Sequence, residues 1–493
     1  MYLTKTDFVH YLQCPRSLWL LKHKPEIYPH KEFSDFLKKI TREGYEIERY
    51  AQTLFPDGVS LPAIGNAAIT KTREAVKQKV KTVFQATVQT EDGLFARADI
   101  LTRNDDGTYN LYEVKSSSSI KKDKKHNHLK DACFQKIAFE RSNIAIDKVF
   151  IIHTNGDYVR EMEINPHKLL KKVCSTEEIK KIYDETEIEI NNALSLLREK
   201  HREKSVCPCS KKTKSNHCDA FEYFNGALPE RSIWEIGNLR EKKLCTMLDR
   251  NIQKMEEIPE DIELNDRQQR QVQSVIQGRP IIDEERIQEM LAEMQFPLYF
   301  FDYEAASSAV PKIVGTRPWQ QIPFQFSLHI LGTGDTLTHK EHLNETLSGP
   351  EGVVEALCEM IGEVGSVVSW HASYEKTMNK EMAKKYPQYA KKLHNINDRT
   401  VDLEDIFKEA YTDAAFCGST SIKKVLPILC PNLSYKDLAV QDGTQAMEQW
   451  FAMTEKRDKA ARDTIRANLL EYCKLDTLAM VEIYKKIRTL SSA

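Results

Sequence analysis

The chain has 493 residues, of which 41% are hydrophobic, 29% charged and 9% aromatic. At roughly 100–200 residues per domain, this length excludes a single ordinary domain and predicts two to four folded domains. The composition also excludes collagen-like, mucin-like and largely disordered chains. The net charge is −2, from 71 basic and 73 acidic side chains, so a nucleic acid would have to bind at local patches of positive charge.

The N-terminal sequence MYLTKTDFVHYLQC lacks the basic stretch and the following apolar stretch of a secretory signal. Apolar runs such as residues 297–301 are far shorter than the roughly 20 residues that span a bilayer. We therefore expect a cytoplasmic protein without a membrane partner. In that compartment its 11 cysteines are expected to bind metal or to stay reduced, because structural disulfides are rare there.

Three regions of the chain differ in sequence pattern. Residues 1–225 mix helical and strand patterns, residues 226–290 are helical and polar, and from residue 291 apolar strands alternate with amphipathic helices. Strands that alternate with helices predict an α/β or mixed architecture. The sequence thus predicts an α/β multidomain protein with domains at 1–225 and 291–493, joined by a helical connector.

Two predicted strands in the first region, at 94–102 and 108–116, flank the turn sequence NDDG, which is typical of a β-hairpin. Alternate side chains of a strand share a face, so Glu113 and Lys115 lie together, and the turn brings Asp99 beside Glu113. Two acids and a lysine at a strand end can hold a divalent cation and orient a water against a phosphodiester. The alternative interpretation is a salt-bridged surface hairpin.

Neighbouring segments supply further groups of the same chemistry. Glu46 or Glu48, in the preceding predicted helix, can add a metal ligand, and Gln135 lies on the helix predicted after the second strand. The basic segment 115–128 offers cations for nucleic-acid phosphates, although a solvated run of charge is an equally good interpretation.

A cysteine cluster closes the first region. Cys207, Cys209 and Cys218 lie in a segment rich in lysine and serine, with few residues able to form a core around them. Thiolates clustered in a loop can hold zinc or an iron–sulfur cluster, and the C-x-C-x8-C spacing does not decide between them. An ordinary buried thiol is the interpretation for several others: Cys133, Cys245, Cys358, Cys417, Cys430 and Cys473.

The first region resembles the RecB-like PD-(D/E)XK nucleases that contain an iron–sulfur cluster. The resemblance rests on Cys14 in the first predicted helix, on the acids with Lys115 and Gln135, and on the three cysteines near residue 210. In that group one N-terminal and three C-terminal cysteines hold a [4Fe–4S] cluster that joins the ends of the domain. Carried over by position, the resemblance implies four ligands here: Cys14, Cys207, Cys209 and Cys218. The group usually has a wider gap between the first two late cysteines and often has a cysteine at the position of Phe224, which leaves open whether both Cys207 and Cys209 are ligands.

The second large region opens with the predicted strand 298–304, LYFFDYE, which carries Asp302 and Glu304 on one face. Burying two unpaired carboxylates side by side is costly, so a strand that keeps both usually provides them with a cation.

Further acids follow at three later positions. Glu375 begins the helix predicted after the strand at 366–370, where an ordinary favourable interaction with the helix dipole is the alternative explanation. Asp402 is the alternative or supporting acid. A long helix is predicted near the end of the chain, and Tyr472 and Asp476, four residues apart, lie on one face of it.

These motifs together resemble the DEDDy branch of RNase H-like 3′–5′ exonucleases, in which four acids bind two Mg²⁺ or Mn²⁺ ions and a tyrosine positions the attacking water. The resemblance implies Tyr472 as that tyrosine, and Lys423 as a contact to a nucleic-acid phosphate. It implies four acidic ligands: Asp302, Glu304, Glu375 and Asp476. The second acid of that branch is usually aspartate, so Glu375 is one methylene longer.

Both halves, in this order and with the connector between them, are similar to a bacterial family that contains a domain of unknown function. The resemblances imply a PD-(D/E)XK restriction-endonuclease-like domain followed by an RNase H-like α/β domain. The predicted function is hydrolysis of DNA or RNA phosphodiesters from ends, by two-metal catalysis at the C-terminal acids, with the PD-(D/E)XK residues as a second candidate site. Two alternatives stay open: only the N-terminal module is catalytic, or the chain is a non-catalytic nucleic-acid-binding scaffold.

Overall fold

The structure is a computed structural model that describes residues 1–29, 34–61, 65–123, 126–202 and 206–490. These residues form two compact units: one contains Met1–Leu228 with Ser308–Trp319, and the other contains Pro229–Ser307 with Gln320–Ala493. Each unit has a β-sheet and packed helices, so the predicted mixed α/β multidomain architecture is confirmed. In the part of the chain that the structure describes, every helix is too short or too polar to cross a lipid bilayer.

The first unit is built on a mixed sheet of seven strands among its described residues, in the order β2-β3-β4-β5-β6-β7 with β1 paired to β4. Its strands are β1 (Leu3–Thr4), β2 (Val59–Ser60), β3 (Thr82–Gln89), β4 (Leu94–Arg103), β5 (Tyr109–Lys115), β6 (Ile146–Thr154) and β7 (Leu170–Cys174). Its helices are α1 (Lys5–Gln13), α2 (Pro15–His23), α3 (Asp35–Gln52), α4 (Gly65–Lys77), α5 (His128–Arg141), α6 (Pro166–Leu169), α7 (Thr176–Arg198) and α8 (Phe221–Asn225).

The predicted hairpin is confirmed as β4 and β5, which pair antiparallel around a turn at Asn104–Gly107. Gly107 has a φ of +90°, a left-handed conformation that glycine adopts without strain. From β5 the chain crosses through α5 to β6, the parallel neighbour of β5. Because such a crossover helix packs back onto its sheet, α5 brings its side chains against β4 and β5.

The second unit has a five-stranded sheet in the order β11-β10-β9-β12-β13 and a separate pair, β8 with β14, among its described residues. Its strands are β8 (Ile281–Ile282), β9 (Leu298–Ala306), β10 (Ile322–Leu331), β11 (Leu337–Leu343), β12 (Val367–Ser369), β13 (Thr400–Asp402) and β14 (Tyr411–Thr412). Its helices are α9 (Glu241–Asp249), α10 (Asp266–Gln277), α11 (Glu284–Ala292), α12 (Glu351–Met360), α13 (Ser373–Lys385), α14 (Ala390–Asp398), α15 (Glu404–Glu409), α16 (Ile422–Leu429), α17 (Gly443–Glu455) and α18 (Lys459–Leu490).

β9 lies in the middle of this sheet, between β10 and β12. Leu298 and Phe300 pack into one hydrophobic core and Tyr299 and Phe301 into another, so the strand is buried on both faces. This burial accounts for its nearly continuous apolar sequence. β9, β12 and β13 run parallel, and their carboxyl ends therefore meet at one edge, where open α/β sheets place their ligands.

The predicted connector at 226–290 does not form a separate module, because nearly all of it belongs to the second unit. Its polar helix α10 packs through hydrogen bonds: Arg267 donates to the carbonyl of Gly418 at 3.1 Å, and Arg270 donates to the carbonyl of Lys408 at 2.8 Å. The polar sequence that suggested a separate module therefore satisfies backbone groups of the second unit.

A second difference from the predicted boundaries is the segment Ser308–Trp319, which follows β9 but belongs to the first unit. Ala309 and Val310 are buried in a core of that unit, and the Trp319 indole donates to the carbonyl of Ser116 at 2.7 Å. The predicted C-terminal domain is therefore interrupted by a short insertion. Local sequence patterns do not reveal it, because the two partners of the indole hydrogen bond lie 203 positions apart in sequence.

Candidate functional site

The acids predicted in the second region meet at the carboxyl end of β9. Asp302, Glu304 and Asp476 each offer one carboxylate oxygen, and these oxygens lie within 4.8 Å of one another. The first two share a face of β9 because of their alternate spacing, and α18 packs on β9 and β10, which brings Asp476 to them. Tyr472, one turn earlier on α18, is only 4% exposed.

Glu375 lies in the first turn of α13 and does not join the set of carboxylates within 4.8 Å. Its side chain is nevertheless buried, and its charge raises the pKa of Asp302, so the two groups interact. Among the described residues, one of its carboxylate oxygens, Oε2, is buried without a hydrogen-bond partner. An orphaned buried carboxylate oxygen is the kind of group that a metal ion satisfies. We call Asp302, Glu304, Glu375 and Asp476 the C-terminal acid site.

The electrostatics of this site favour the binding of cations. Within the described ranges, no lysine, arginine or histidine forms an ion pair with any of these acids. Burial raises the pKa of Asp476 to about 6 and that of Glu375 to about 8. Burial, followed by repulsion from Asp476, raises the pKa values of Asp302 and Glu304 well above their usual range. Mutual repulsion of buried carboxylates is relieved when a divalent ion binds between them.

Asp402, the alternative acid of the sequence prediction, does not belong to the carboxylate set of Asp302, Glu304 and Asp476. Its carboxylate accepts backbone N–H groups of His371 at 2.9 Å, Ala372 at 3.2 Å and Glu404 at 3.0 Å. These bonds hold the turn between β12 and α13, and this turn leads into the helix that carries Glu375. Asp402 therefore positions the site, because its oxygens are already used by the backbone.

Tyr435 is a member of the site that the sequence motifs did not indicate. Its hydroxyl donates to Oδ1 of Asp476 at 2.7 Å, and its ring lies 6.3 Å from that of Tyr472. The ammonium group of Lys423 lies 5.5 Å from the centre of the Tyr435 ring and donates to the carbonyl of Gln441 at 2.9 Å. Lys423 also lowers the pKa of Asp476, although burial has the larger, opposite effect. No spacing rule connects Tyr435 with a residue 41 positions later.

Replacing Tyr435 by Phe is expected to weaken Mn²⁺ binding at the C-terminal acid site about tenfold, because the hydroxyl that orients the Asp476 carboxylate is lost. Calorimetric titration of the metal-free protein with Mn²⁺ measures the effect. Tyr484→Phe is the matched control, since Tyr484 is a buried tyrosine of the hydrophobic core against which Tyr435 also packs, and its ring lies on Phe300. Equal Mn²⁺ affinity of Tyr435→Phe and wild type would show that the hydroxyl does not position the carboxylate.

The same acids predict a pH dependence of stability for the metal-free protein. On folding, burial raises the pKa of Asp476 from 3.8 to about 6 and that of Glu375 from 4.5 to about 8. The folded state thus holds protons that the unfolded state has released, and the free energy of unfolding falls as pH rises from about 4 to about 8. Melting temperatures across this range measure the slope, and Glu375→Gln, which cannot ionise, should flatten it. A slope that Glu375→Gln leaves unchanged would contradict the assignment.

The residues predicted in the first region also come together, at the end of β5. The Asp99 carboxylate accepts the backbone N–H of Val114 at 2.7 Å, and the Lys115 ammonium lies 2.9 Å from Oε1 of Glu113. Gln135, on α5, is fully buried and donates to Oε2 of Glu113, so in this structure its amide orients the glutamate. We call Asp99, Glu113, Lys115 and Gln135 the N-terminal acid site.

The sequence offered Glu46 or Glu48 as a further ligand of this site, and the charge of Glu48 raises the pKa of Asp99. Burial, followed by the charges of Glu113 and Glu48, raises the pKa of Asp99 to about 7. Glu48 itself accepts hydrogen bonds from Gln52 at 3.0 Å and from Gln85. In the basic segment 115–128, Lys121 and Lys122 are exposed. Lys124 and Lys125 lie outside the described residues.

The four implied cysteines form one cluster, in which Cys14, Cys207, Cys209 and Cys218 each offer a sulfur within 4.8 Å of the others. The Cys14 and Cys207 sulfurs are 3.3 Å apart, and those of Cys207 and Cys218 are 3.7 Å apart. Hydrogen bonds among the four thiols lower the pKa values of Cys207 and Cys209 and raise those of Cys14 and Cys218, so the thiols share their protons unevenly and a bound metal ion would displace them. A tetrahedral ion with Zn–S bonds of about 2.3 Å has similar sulfur separations, whereas a cluster of four irons requires wider spacing.

The unusual spacing left open whether both Cys207 and Cys209 are ligands, and in the structure both lie in the cluster. Phe224, where a cysteine is common, is buried in the hydrophobic core instead. Among the remaining thiols, Cys133 and Cys473 are fully buried as predicted. The prediction of a buried thiol is wrong for Cys417, which is exposed and itself adopts a left-handed backbone conformation.

Comparison with known proteins gives a family for part of the chain. Residues 299–421 match the family described as "Domain of unknown function (DUF2779)". A Mycoplasma pneumoniae protein, the uncharacterized protein MG366 homolog, is 30% identical over 205 residues, which cover 37% of this chain and 31% of the relative. The chain thus spans about a third of that relative's length. The predicted resemblance to a family of unknown function is confirmed for residues 299–421, and neither match names a nuclease.

Proposed function

We propose that the chain is a metal-dependent nuclease that hydrolyses phosphodiester bonds of DNA or RNA from ends at the C-terminal acid site. The observation that carries the proposal is the set of Asp302, Glu304 and Asp476 oxygens within 4.8 Å, with Glu304 buried, the two aspartates half-buried, and no ion-paired cation among the described residues. Buried carboxylates with raised pKa values and an orphaned Glu375 oxygen fit Mg²⁺ or Mn²⁺, which prefer oxygen ligands. A DEDDy, RNase H-like fold of the second unit is part of this proposal.

Each residue of the site has a defined task in that reaction. The four acids would hold the ions, which supply Lewis-acid chemistry at the attacking and leaving oxygens. Tyr472 lies beside Asp476, where its hydroxyl can orient the attacking water, and Tyr435 fixes the carboxylate of Asp476. Lys423 supplies a positive charge next to the acids, which suits a phosphate of the bound strand.

A second candidate activity belongs to the N-terminal acid site, in a first unit of PD-(D/E)XK type. The observation that favours it is the direct contact of Glu113 with Lys115 and Gln135, beside the half-buried Asp99. Two alternatives remain as outcomes of the test: hydrolysis at this site alone, or binding of nucleic acid without hydrolysis. The four-cysteine cluster would hold a structural metal group: its sulfur separations fit a single zinc ion, and a [4Fe–4S] cluster, which the resemblance implies, would need the sulfurs further apart.

The test uses end-labelled single- and double-stranded DNA and RNA, incubated with Mg²⁺ or Mn²⁺ and separated by length. Wild type is compared with Asp302→Ala, Lys115→Ala and a sample in EDTA. We expect stepwise shortening that requires metal, is lost in Asp302→Ala and persists in Lys115→Ala. Loss only in Lys115→Ala would move the activity to the N-terminal acid site. Equal activity in all variants would refute both sites, and retained binding without shortening would establish the scaffold.

A further inference from the structure

The N-terminal acid site contains a second lysine that no motif indicated. The ammonium group of Lys5, the first residue of α1, lies 2.5 Å from Oε1 of Glu113. Lys115 contacts the same oxygen at 2.9 Å, and Gln135 donates to the other oxygen, Oε2. The glutamate is only 1% exposed, so these donors occupy both of its oxygens inside the protein.

The position of Lys5 is fixed by the residues around it. Leu3 and Thr4 form β1, which pairs with the start of β4, so the chain enters α1 directly from the sheet. The Thr4 backbone and hydroxyl both donate to the Asp7 carboxylate, at 2.9 Å and 2.7 Å, and Lys22 of α2 lies 2.6 Å from the same carboxylate. This capping box holds the first turn of α1, and the ion pair with Lys22 joins that turn to α2. The paired strand β1 and the capped first turn of α1 therefore hold Lys5 against Glu113.

The two acid sites differ in their charge balance. At the C-terminal acid site no described cation pairs with the carboxylates, whereas Glu113 faces two ammonium groups. Burial acts to raise the pKa of Glu113, but Lys115 and Lys5 overcome this effect and hold the pKa well below its usual range. A buried carboxylate compensated in this way has little to gain from a further cation. As packed here, the site does not fit a resident divalent ion.

We propose that Lys5 is a positioning residue of the N-terminal acid site, whose ammonium group takes the place of a divalent cation on Glu113. A divalent ion binds Asp99 and Glu113 only after Lys5 has left the glutamate. Hydrolysis at this site, the second candidate activity on which the inference rests, would then require movement of α1 or of the Lys5 side chain. Helix α1 ends at Gln13, next to Cys14, so the helix that begins with Lys5 leads directly to the four-cysteine cluster.

The experiment measures Mn²⁺ binding rather than hydrolysis, so its outcome is independent of the proposed activity. The full chain carrying Asp302→Asn and Asp476→Asn serves as background, because two of the four acids of the C-terminal acid site then carry no charge and bind Mn²⁺ weakly. Free Mn²⁺ is followed by electron paramagnetic resonance during titration, and Mn²⁺ prefers carboxylates over the thiolates of the cluster. Removing the charge with Lys5→Met is expected to tighten Mn²⁺ binding about tenfold or more. Adding Asp99→Asn to that variant should abolish the gain.

The controls separate the charge of Lys5 from the integrity of α1. Lys22→Met removes the ion pair between α2 and Asp7 of α1, but it leaves the capping box and Glu113 untouched. This variant should leave Mn²⁺ binding unchanged. Lys5→Arg keeps the charge and should bind Mn²⁺ as weakly as the background. If Lys5→Met fails to fold, as judged by circular dichroism, Lys5→Gln provides the neutral side chain. Equal Mn²⁺ affinity with Lys5 and with either neutral variant, or an equal gain in Lys22→Met, would overturn the proposal.

Discussion

Replacing Asp302 and Asp476 together by asparagine is expected to lower nuclease activity on the order of a thousandfold and to raise the melting temperature of the metal-free protein. The two effects share one cause. Both acids are held close together with raised pKa values, so they repel each other until a cation binds. Asparagine has nearly the same shape and removes the repulsion, but it does not supply the charge that a divalent ion requires.

Activity assays with labelled strands and melting curves with and without Mn²⁺ measure both effects. In wild type we expect Mn²⁺ to raise the melting temperature, and in the double variant we expect no response to Mn²⁺. Asp437→Asn with Asp463→Asn is the matched control, because these two aspartates of the same unit are exposed and should change neither quantity. A double variant that loses activity and is also less stable without metal would indicate a structural role for the acids.

The second large effect is expected at the four-cysteine cluster. Cys209→Ser should lower the melting temperature of the first unit by about 10 °C or more, because a structural metal group contributes several kcal/mol to folding. The cluster joins Cys14, at the start of α2, to a segment almost 200 residues later, with Cys14 and Cys207 193 positions apart. A metal bridge between such distant segments restricts the unfolded chain strongly.

Anaerobic purification, metal analysis and a visible spectrum accompany the melting curves. A broad absorbance near about 400 nm identifies an iron–sulfur cluster, and a colourless protein with one zinc identifies the single ion. Cys174→Ser is the control, since Cys174 is an exposed thiol of the same unit. Wild-type protein without bound metal, or a Cys209→Ser variant as stable as Cys174→Ser, would contradict a structural metal group.

Much of the candidate site could be predicted because its spacing is local. Asp302 and Glu304 share a face in any strand, and Tyr472 and Asp476 share a face in any helix, whatever surrounds them. The hairpin that brings Asp99 to Glu113 follows from a turn sequence between two strand patterns, for the same reason. The parts that were missed depend on contacts between segments distant in sequence. Examples are the polar helix α10 and the insertion Ser308–Trp319.

The sequence by itself determined the mixed α/β architecture, the acids on their strands and helices, and the cysteines able to form a cluster. Only the tertiary structure showed that Lys5 reaches Glu113, that Tyr435 holds Asp476, and that both Cys207 and Cys209 lie within 4.8 Å of Cys14. The reason is physical: periodicity fixes which face of an element a side chain occupies, whereas a partner 108 positions away, as Glu113 is from Lys5, is chosen by the packing of whole elements.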